Sequence, residues 1–141
     1  MPLTTIRVLL VEDEVMIRMM VADMVEELGH AVTAEAGDVG SAAELAQTGL
    51  FDLAILDVNL NGKKSFPVAD IIVRRRIPLI FASGYAADNY PATFCSTPKL
   101  QKPFQIGTLA KAITAAREGA RQLVAGPAAV KSAKTNGLKA K

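Results

Sequence analysis

The chain has 141 residues, half of them apolar, few aromatic, none Trp, with a net charge of +2. That length holds one domain with a real core and little else, and no run approaches the roughly 18 apolar residues of a membrane span. The charge is uneven: residues 124–141 carry four Lys (Lys131, Lys134, Lys139, Lys141) and no acid, leaving 12 basic against 14 acidic residues in the body, which argues against a nucleic-acid ligand there.

The only Cys is Cys95, so no internal disulfide can form. With no basic, apolar leader at the amino terminus, a cytoplasmic location is expected. Residues 6–11 (IRVLLV) predict a buried strand that ends in the acids Glu12, Asp13 and Glu14. These acids also suit the positive end of a helix dipole. A helix is predicted over residues 14–28, with Ile17, Met20, Val21, Met24 and Leu28 on its core face. Gly29 is its natural stop. Met16 and Met19 fall off that stripe and offer an adaptable apolar docking patch.

Residues 30–36 predict a weaker strand, with His30, the only His, as a surface loop residue at its start. Asp38 can cap a helix that runs to Thr48 and ends at Gly49. Residues 51–60 (FDLAILDVNL) hold the central element. The unbroken run Leu53, Ala54, Ile55, Leu56 fits a strand buried on both faces of a parallel sheet, and Asp57 stands at its carboxyl end, where open α/β sheets bind ligands. Residues 59–64 read as a loop. A third helix follows over residues 66–75, with Arg74, Arg75 and Arg76 at the end where positive charge suits the dipole.

Residues 77–83 (IPLIFAS) predict a fourth strand, ending at Ser83. From residue 85 to 98 the pattern fades; Pro91 and Pro98 leave room only for a short helix, and low local stability is expected there. Residues 99–102 form a short last strand ending in Lys102, and Pro103 leads to a helix over residues 105–123. Residues 124–141 form a basic tail too poor in apolar area to order itself. The expected division is thus a domain over residues 1–123 and a disordered tail over residues 124–141, too short for an output domain. Five β-α repeats with right-handed crossovers predict a doubly wound α/β fold with a five-stranded parallel sheet, for which the flavodoxin-like order 2-1-3-4-5 is one of the two common solutions.

In that order Glu12 with Asp13, Asp57, Ser83 and Lys102 end four consecutive neighbouring strands and meet at one rim. Each alone is weak; a Ser or Lys at a strand end is usually a solvated loop residue. Together they suit phosphoryl chemistry. Three carboxylates with no His or Cys favour Mg²⁺ over Zn²⁺. A hydroxyl and an ammonium bind phosphoryl oxygens, and Asp can serve as the nucleophile. GKKS (residues 62–65) lacks the first Gly of a phosphate-binding loop and follows the wrong strand.

The residues VEDE (11–14), LDVNLNG (56–62), ASG (82–84) and KPF (102–104), in this order and spacing, resemble a bacterial two-component response-regulator receiver domain over residues 5–123. The resemblance implies that Asp57 is the phosphoacceptor. It implies that Asp13, Asp57 and the backbone carbonyl of Asn59 bind Mg²⁺ directly, with Glu12 acting through water, and that Ser83 and Lys102 grip the phosphoryl group. The Lys102–Pro103 bond is usually cis in this family. The implied donor is a phosphohistidine on a sensor histidine kinase or a histidine phosphotransfer protein, and the output a downstream protein contact or a relay of phosphate, from a monomer or weak dimer. FASGY (81–85) resembles the alphaproteobacterial FAT GUY group, with Ser83 in place of the usual Thr. Ordinary receivers carry Tyr or Phe three residues before the invariant Lys; here Lys99 stands in that place, and it is expected to stay at the surface. A haloacid-dehalogenase phosphatase would need an acid where Asn59 stands. A pseudo-receiver, binding proteins without taking phosphate, is the alternative function.

Overall fold

Five of the apolar runs pair side by side in the computed structural model, which describes residues 5–84 and 89–129. The strands are β1 (Arg7–Val11), β2 (Ala31–Ala36), β3 (Leu53–Asp57), the two-residue pair β4 (Asn59–Leu60) and β5 (Lys63–Lys64), β6 (Leu79–Ser83) and β7 (Lys99–Gln101). The helices are α1 (Val15–Glu27), α2 (Val39–Thr48), α3 (Phe66–Arg74) and α4 (Ile106–Ala129), with a 3₁₀ turn at Ala92–Phe94. The main sheet is parallel throughout, ordered β2-β1-β3-β6-β7. With the β4–β5 pair set aside, this is the predicted order of a flavodoxin-like, doubly wound sheet.

Alternation along the strands builds two cores. Leu9, Val11, Ala54, Leu56, Leu79 and Phe81 face α2 and α3, packing on Ala42, Ala46, Val68, Ala69 and Ile72. Val8, Leu10, Leu53, Ile55, Ile80, Ala82 and Leu100 face the other way, onto Val21 and Val25 of α1 and Leu109, Ala112, Ile113 and Ala116 of α4. All five residues of β3 are buried, because helices cover both faces of a central parallel strand. Each such Leu or Ile contributes roughly 1.5–3 kcal/mol of burial, so the strand that carries Asp57 is a firm base for it.

Helix ends follow local chemistry. Asp38 caps α2, its Oδ1 accepting from the Ser41 N–H at 2.8 Å. At the end of α1, Gly29 takes φ +90°, its N–H donating to Glu26 O and that of His30 to Val25 O. This is the bond pair of a Schellman stop, which a left-handed glycine permits. Arg75 donates to the Ala46 and Gly49 carbonyls at 2.7 and 2.9 Å and lies over the Phe51 ring. It ties α3 to the end of α2, so that member of the arginine run is structural.

Several expectations need correction. Met20 is exposed, not core, and Val25 takes its place beside Val21; the buried stripe of α1 is narrower than the hydrophobic one because only one edge of the helix meets the sheet. His30 is more than a loop residue: its Nδ1 accepts from the Ile6 N–H at 3.1 Å. Residues 59–64 form a hairpin, not a loop. Its turn is Asn61–Gly62, both with positive φ, and Asn-Gly is a strong sequence signal for that turn. The last helix continues past Leu123 to Ala129, since Ala, the best helix former, recurs there. Residues 130–141, the rest of the expected tail, lie outside the described residues, as do residues 85–88 of the segment expected to have low stability.

Candidate functional site

The rim forms where the chain leaves β1, β3, β6 and β7. Register places Asp57 beside Ala82 and Ser83 beside Gln101, while the Lys102 N–H donates to Ser83 O at 2.7 Å. Glu12, Asp57 and Ser83 are buried, with 3–4% of each exposed; Asp13, Asn59 and Lys102 are half-buried. Single carboxylate oxygens of Glu12, Asp13 and Asp57 all lie within 4.8 Å of one another. All the predicted site residues therefore border one region. Apart from Glu12 they line a cavity of about 530 Å³, together with Ile17, Met20, Met24 and Phe104.

The Lys102 ammonium resolves the repulsion between two of the acids. Its Nζ donates to Glu12 Oε1 at 2.9 Å and to Asp57 Oδ2 at 3.2 Å. Burial pulls the Lys102 pKa down, but the hydrogen bonds and charges of Glu12 and Asp57 outweigh it and leave the group above its ordinary value. Asp57 moves up as well, to about 7. Burial is the main cause and the Glu12 charge the second, with Lys102 and the Asn59 N–H opposing them. A carboxyl held in this way is only partly ionised near neutral pH, and further positive charge in the pocket would favour its charged form.

Asp13 is held differently. Its Oδ2 accepts from the Asn61 N–H at 3.0 Å. Burial alone would raise its pKa; the Asn61 bond, with contributions from Glu12 and Lys102, more than offsets this and leaves it below the ordinary carboxylate value. Two further residues brace the rim that sequence reasoning did not assign to it. Ser65, fully buried, donates its hydroxyl to Asp57 O at 2.6 Å. Arg18 donates to Glu12 O at 3.0 Å and pairs with Glu35 at 3.3 Å. A Cβ at Gly37 would come within 2.9 Å of the Arg18 guanidinium. Asn61 was legible through its Asn-Gly turn; Ser65 and Arg18 carry no local signal, since their partners are fixed only by the fold.

Carboxylates alone, with no sulfur or imidazole in the cluster, suit a hard divalent cation, and an ammonium already lies between two of them. The residues present therefore fit Mg²⁺. The Lys102–Pro103 peptide is cis. Lys99 donates from Nζ to the carbonyls of Phe94, Cys95 and Thr97 at 2.7, 3.1 and 2.8 Å and sits 4.7 Å from the Tyr90 ring centre. It stays at the surface as expected, and Tyr90 packs on Phe81 and Phe66.

Residues 8–114 match the response regulator receiver domain. The chain belongs to this receiver family. Phosphoryl transfer is the general function of receiver domains, as part of two-component signalling, and they generally bind Mg²⁺ at an acidic pocket. The receiver is 34% identical over 123 residues to the transcriptional regulatory protein PdtaR of Mycobacterium tuberculosis, a match that takes in 84% of this chain and 60% of that protein. It thus spans less than two thirds of the curated relatives it matches. Among solved structures it is similar to SdrG from Sphingomonas melonis Fr1, with 40% identity and a TM-score of 0.73, over 80% of this chain and 97% of that one. It is also similar to the anti-anti-sigma factor PhyR from Bartonella quintana, with 25% identity and a TM-score of 0.71, over 91% of this chain and 53% of that one. No helix among the described residues is long and apolar enough to cross a membrane.

Proposed function

We propose that this receiver accepts a phosphoryl group on Asp57 from a phosphohistidine of a sensor histidine kinase or a histidine phosphotransfer protein. The observation that carries the reading is the position of Asp57: at the end of a fully buried central strand, 3.2 Å from the Lys102 ammonium and within a cluster of three acids. One Asp57 oxygen attacks phosphorus, the phosphorus–nitrogen bond to the donor imidazole breaks, and the imidazole leaves with the electron pair. Lys102 follows the charge onto the phosphoryl oxygens, and the Ser83 hydroxyl donates to a second oxygen. Asp13, Asp57 and the Asn59 carbonyl would hold Mg²⁺, with Glu12 acting through water; when bound, Mg²⁺ supplies the positive charge that keeps Asp57 ionised and offsets charge developing in transfer. The protein catalyses only its own phosphorylation and slow loss of phosphate, and its output is a protein contact or a further relay.

Incubation with acetyl phosphate and Mg²⁺ tests this. Uptake of one phosphoryl group, lost in Asp57→Asn with the fold kept, is the expected result; no uptake in the unaltered protein would overturn the reading in favour of a pseudo-receiver. Met16 and Met19, 79% and 62% exposed on α1, form part of the surface that meets the kinase. Met16→Glu is expected to slow transfer from the cognate kinase about tenfold, the effect of losing one good apolar anchor, while leaving acetyl phosphate labelling unchanged.

A further inference from the structure

The three rim acids are not held alike. Glu12 and Asp57 share the Lys102 ammonium. Asp13 takes its hydrogen bond from a backbone N–H, that of Asn61, which lies 48 residues further along the chain. We propose that Asn61 is a positioning residue of the divalent-cation site, acting through that N–H on the Asp13 carboxylate. This rests on the reading of the rim acids as an Mg²⁺ site.

The hairpin is built to aim the amide. Asn61 has φ +53° and Gly62 φ +84°, two successive left-handed residues that reverse the chain between Asn59–Leu60 and Lys63–Lys64. Asn tolerates this conformation and Gly adopts it freely; β-branched residues and Pro do not. The base of the hairpin is pinned to the phosphoacceptor strand, with Ser65 donating its hydroxyl to Asp57 O and its N–H to Val58 O. Leu60 is buried beneath it. The turn is thus fixed relative to Asp57 by main chain, and its amide fixes Asp13 relative to the same strand. A carboxylate bound through Oδ2 keeps Oδ1 and its lone pairs for a cation. It also loses little rotamer freedom on binding, in a cluster whose members otherwise repel one another. Partners of metal ligands typically change metal affinity 10–100-fold when removed.

The test uses the full chain and Mg²⁺ alone, titrated with NMR detection. Asn61→Gly keeps both the N–H and the turn and is expected to bind Mg²⁺ within about twofold of the unaltered protein, whereas Asn61→Pro loses both and should bind about tenfold more weakly. Acetyl phosphate labelling of Asn61→Pro should recover at saturating Mg²⁺. Equal Mg²⁺ affinity in Asn61→Pro would overturn the proposal. Should Asn61→Pro fail to fold, the unaltered hairpin supplies the second measurement. In Asp13→Ala the Asn61 amide resonance is expected to move upfield and exchange faster, with the Ser65 amide unchanged; an Asn61 amide indifferent to Asp13→Ala would also overturn it. A protein that binds Mg²⁺ with this dependence on Asn61 but takes no phosphoryl group would refute the proposed function and leave the Asn61 inference standing.

Discussion

Two lysines three residues apart, Lys99 and Lys102, do opposite work at the two ends of β7. Lys102 lies between two buried carboxylates, and their attraction raises its pKa despite the cost of burial. Lys99 instead bonds three carbonyls around the 3₁₀ turn and faces the Tyr90 ring, and partial burial lowers its pKa. Carbonyl dipoles and a ring face hold an ammonium in place without the full charge that would repay its desolvation. One lysine therefore balances a reactive site, while the other fastens a turn to the edge of an aromatic cluster.

Removing Lys102 breaks this contrast most sharply. Lys102→Met is expected to destabilise the metal-free protein by about 3 kcal/mol at pH 8, because buried carboxylates lose their partner. The loss should shrink at pH 5, where Asp57, with its pKa near 7, is already neutral. Thermal unfolding at the two pH values, with chelator present, checks both halves.

Asp57→Asn probes the same balance from the acid side. The folded-state pKa of Asp57 lies above its ordinary value, so its contribution to stability is complete below the unfolded pKa, near 4, and is lost as pH rises through about 7. Asparagine has no such loss. The stability gained by Asp57→Asn should therefore grow between pH 4 and pH 7 and level off above, reaching on the order of 2 kcal/mol without Mg²⁺. Melting curves across pH measure it, and added Mg²⁺ should reduce the gain by stabilising the unaltered protein. The smallest effect is expected at the other lysine. Lys99→Met should cost about 1 kcal/mol, since two of its three hydrogen bonds lie at exposed positions, with a nearly flat dependence between pH 5 and 8. Faster amide exchange confined to residues 94–97, with acetyl phosphate labelling kept within about twofold, would set Lys99 apart from the site; a large loss of labelling would join the two regions.

Much of the rim was legible because strand ends are marked locally. Apolar runs bounded by Glu12, Asp57, Ser83 and Lys102 state where each strand stops, and parallel topology brings those ends to one edge. The hairpin was legible too, through Asn61–Gly62, but with four residues in two short strands it lacked the length by which strands are usually recognised. Met20 was misassigned because periodicity gives the direction of an apolar stripe and not how much of it a neighbouring element covers.

The sequence by itself determined the alternation of the main strands and helices and the residues that end them, and narrowed the sheet order to two common solutions, since these depend on hydrophobic period, caps and chain handedness. Only the tertiary structure decided how the acids are held. The bond of Asn61 N–H to Asp13 spans 48 residues, and that of Lys102 to Glu12 spans 90. Such contacts follow from where the folded backbone places a donor, and a hydrogen bond fades with a few tenths of an ångström or a modest change in angle. No local pattern of residue types carries that information.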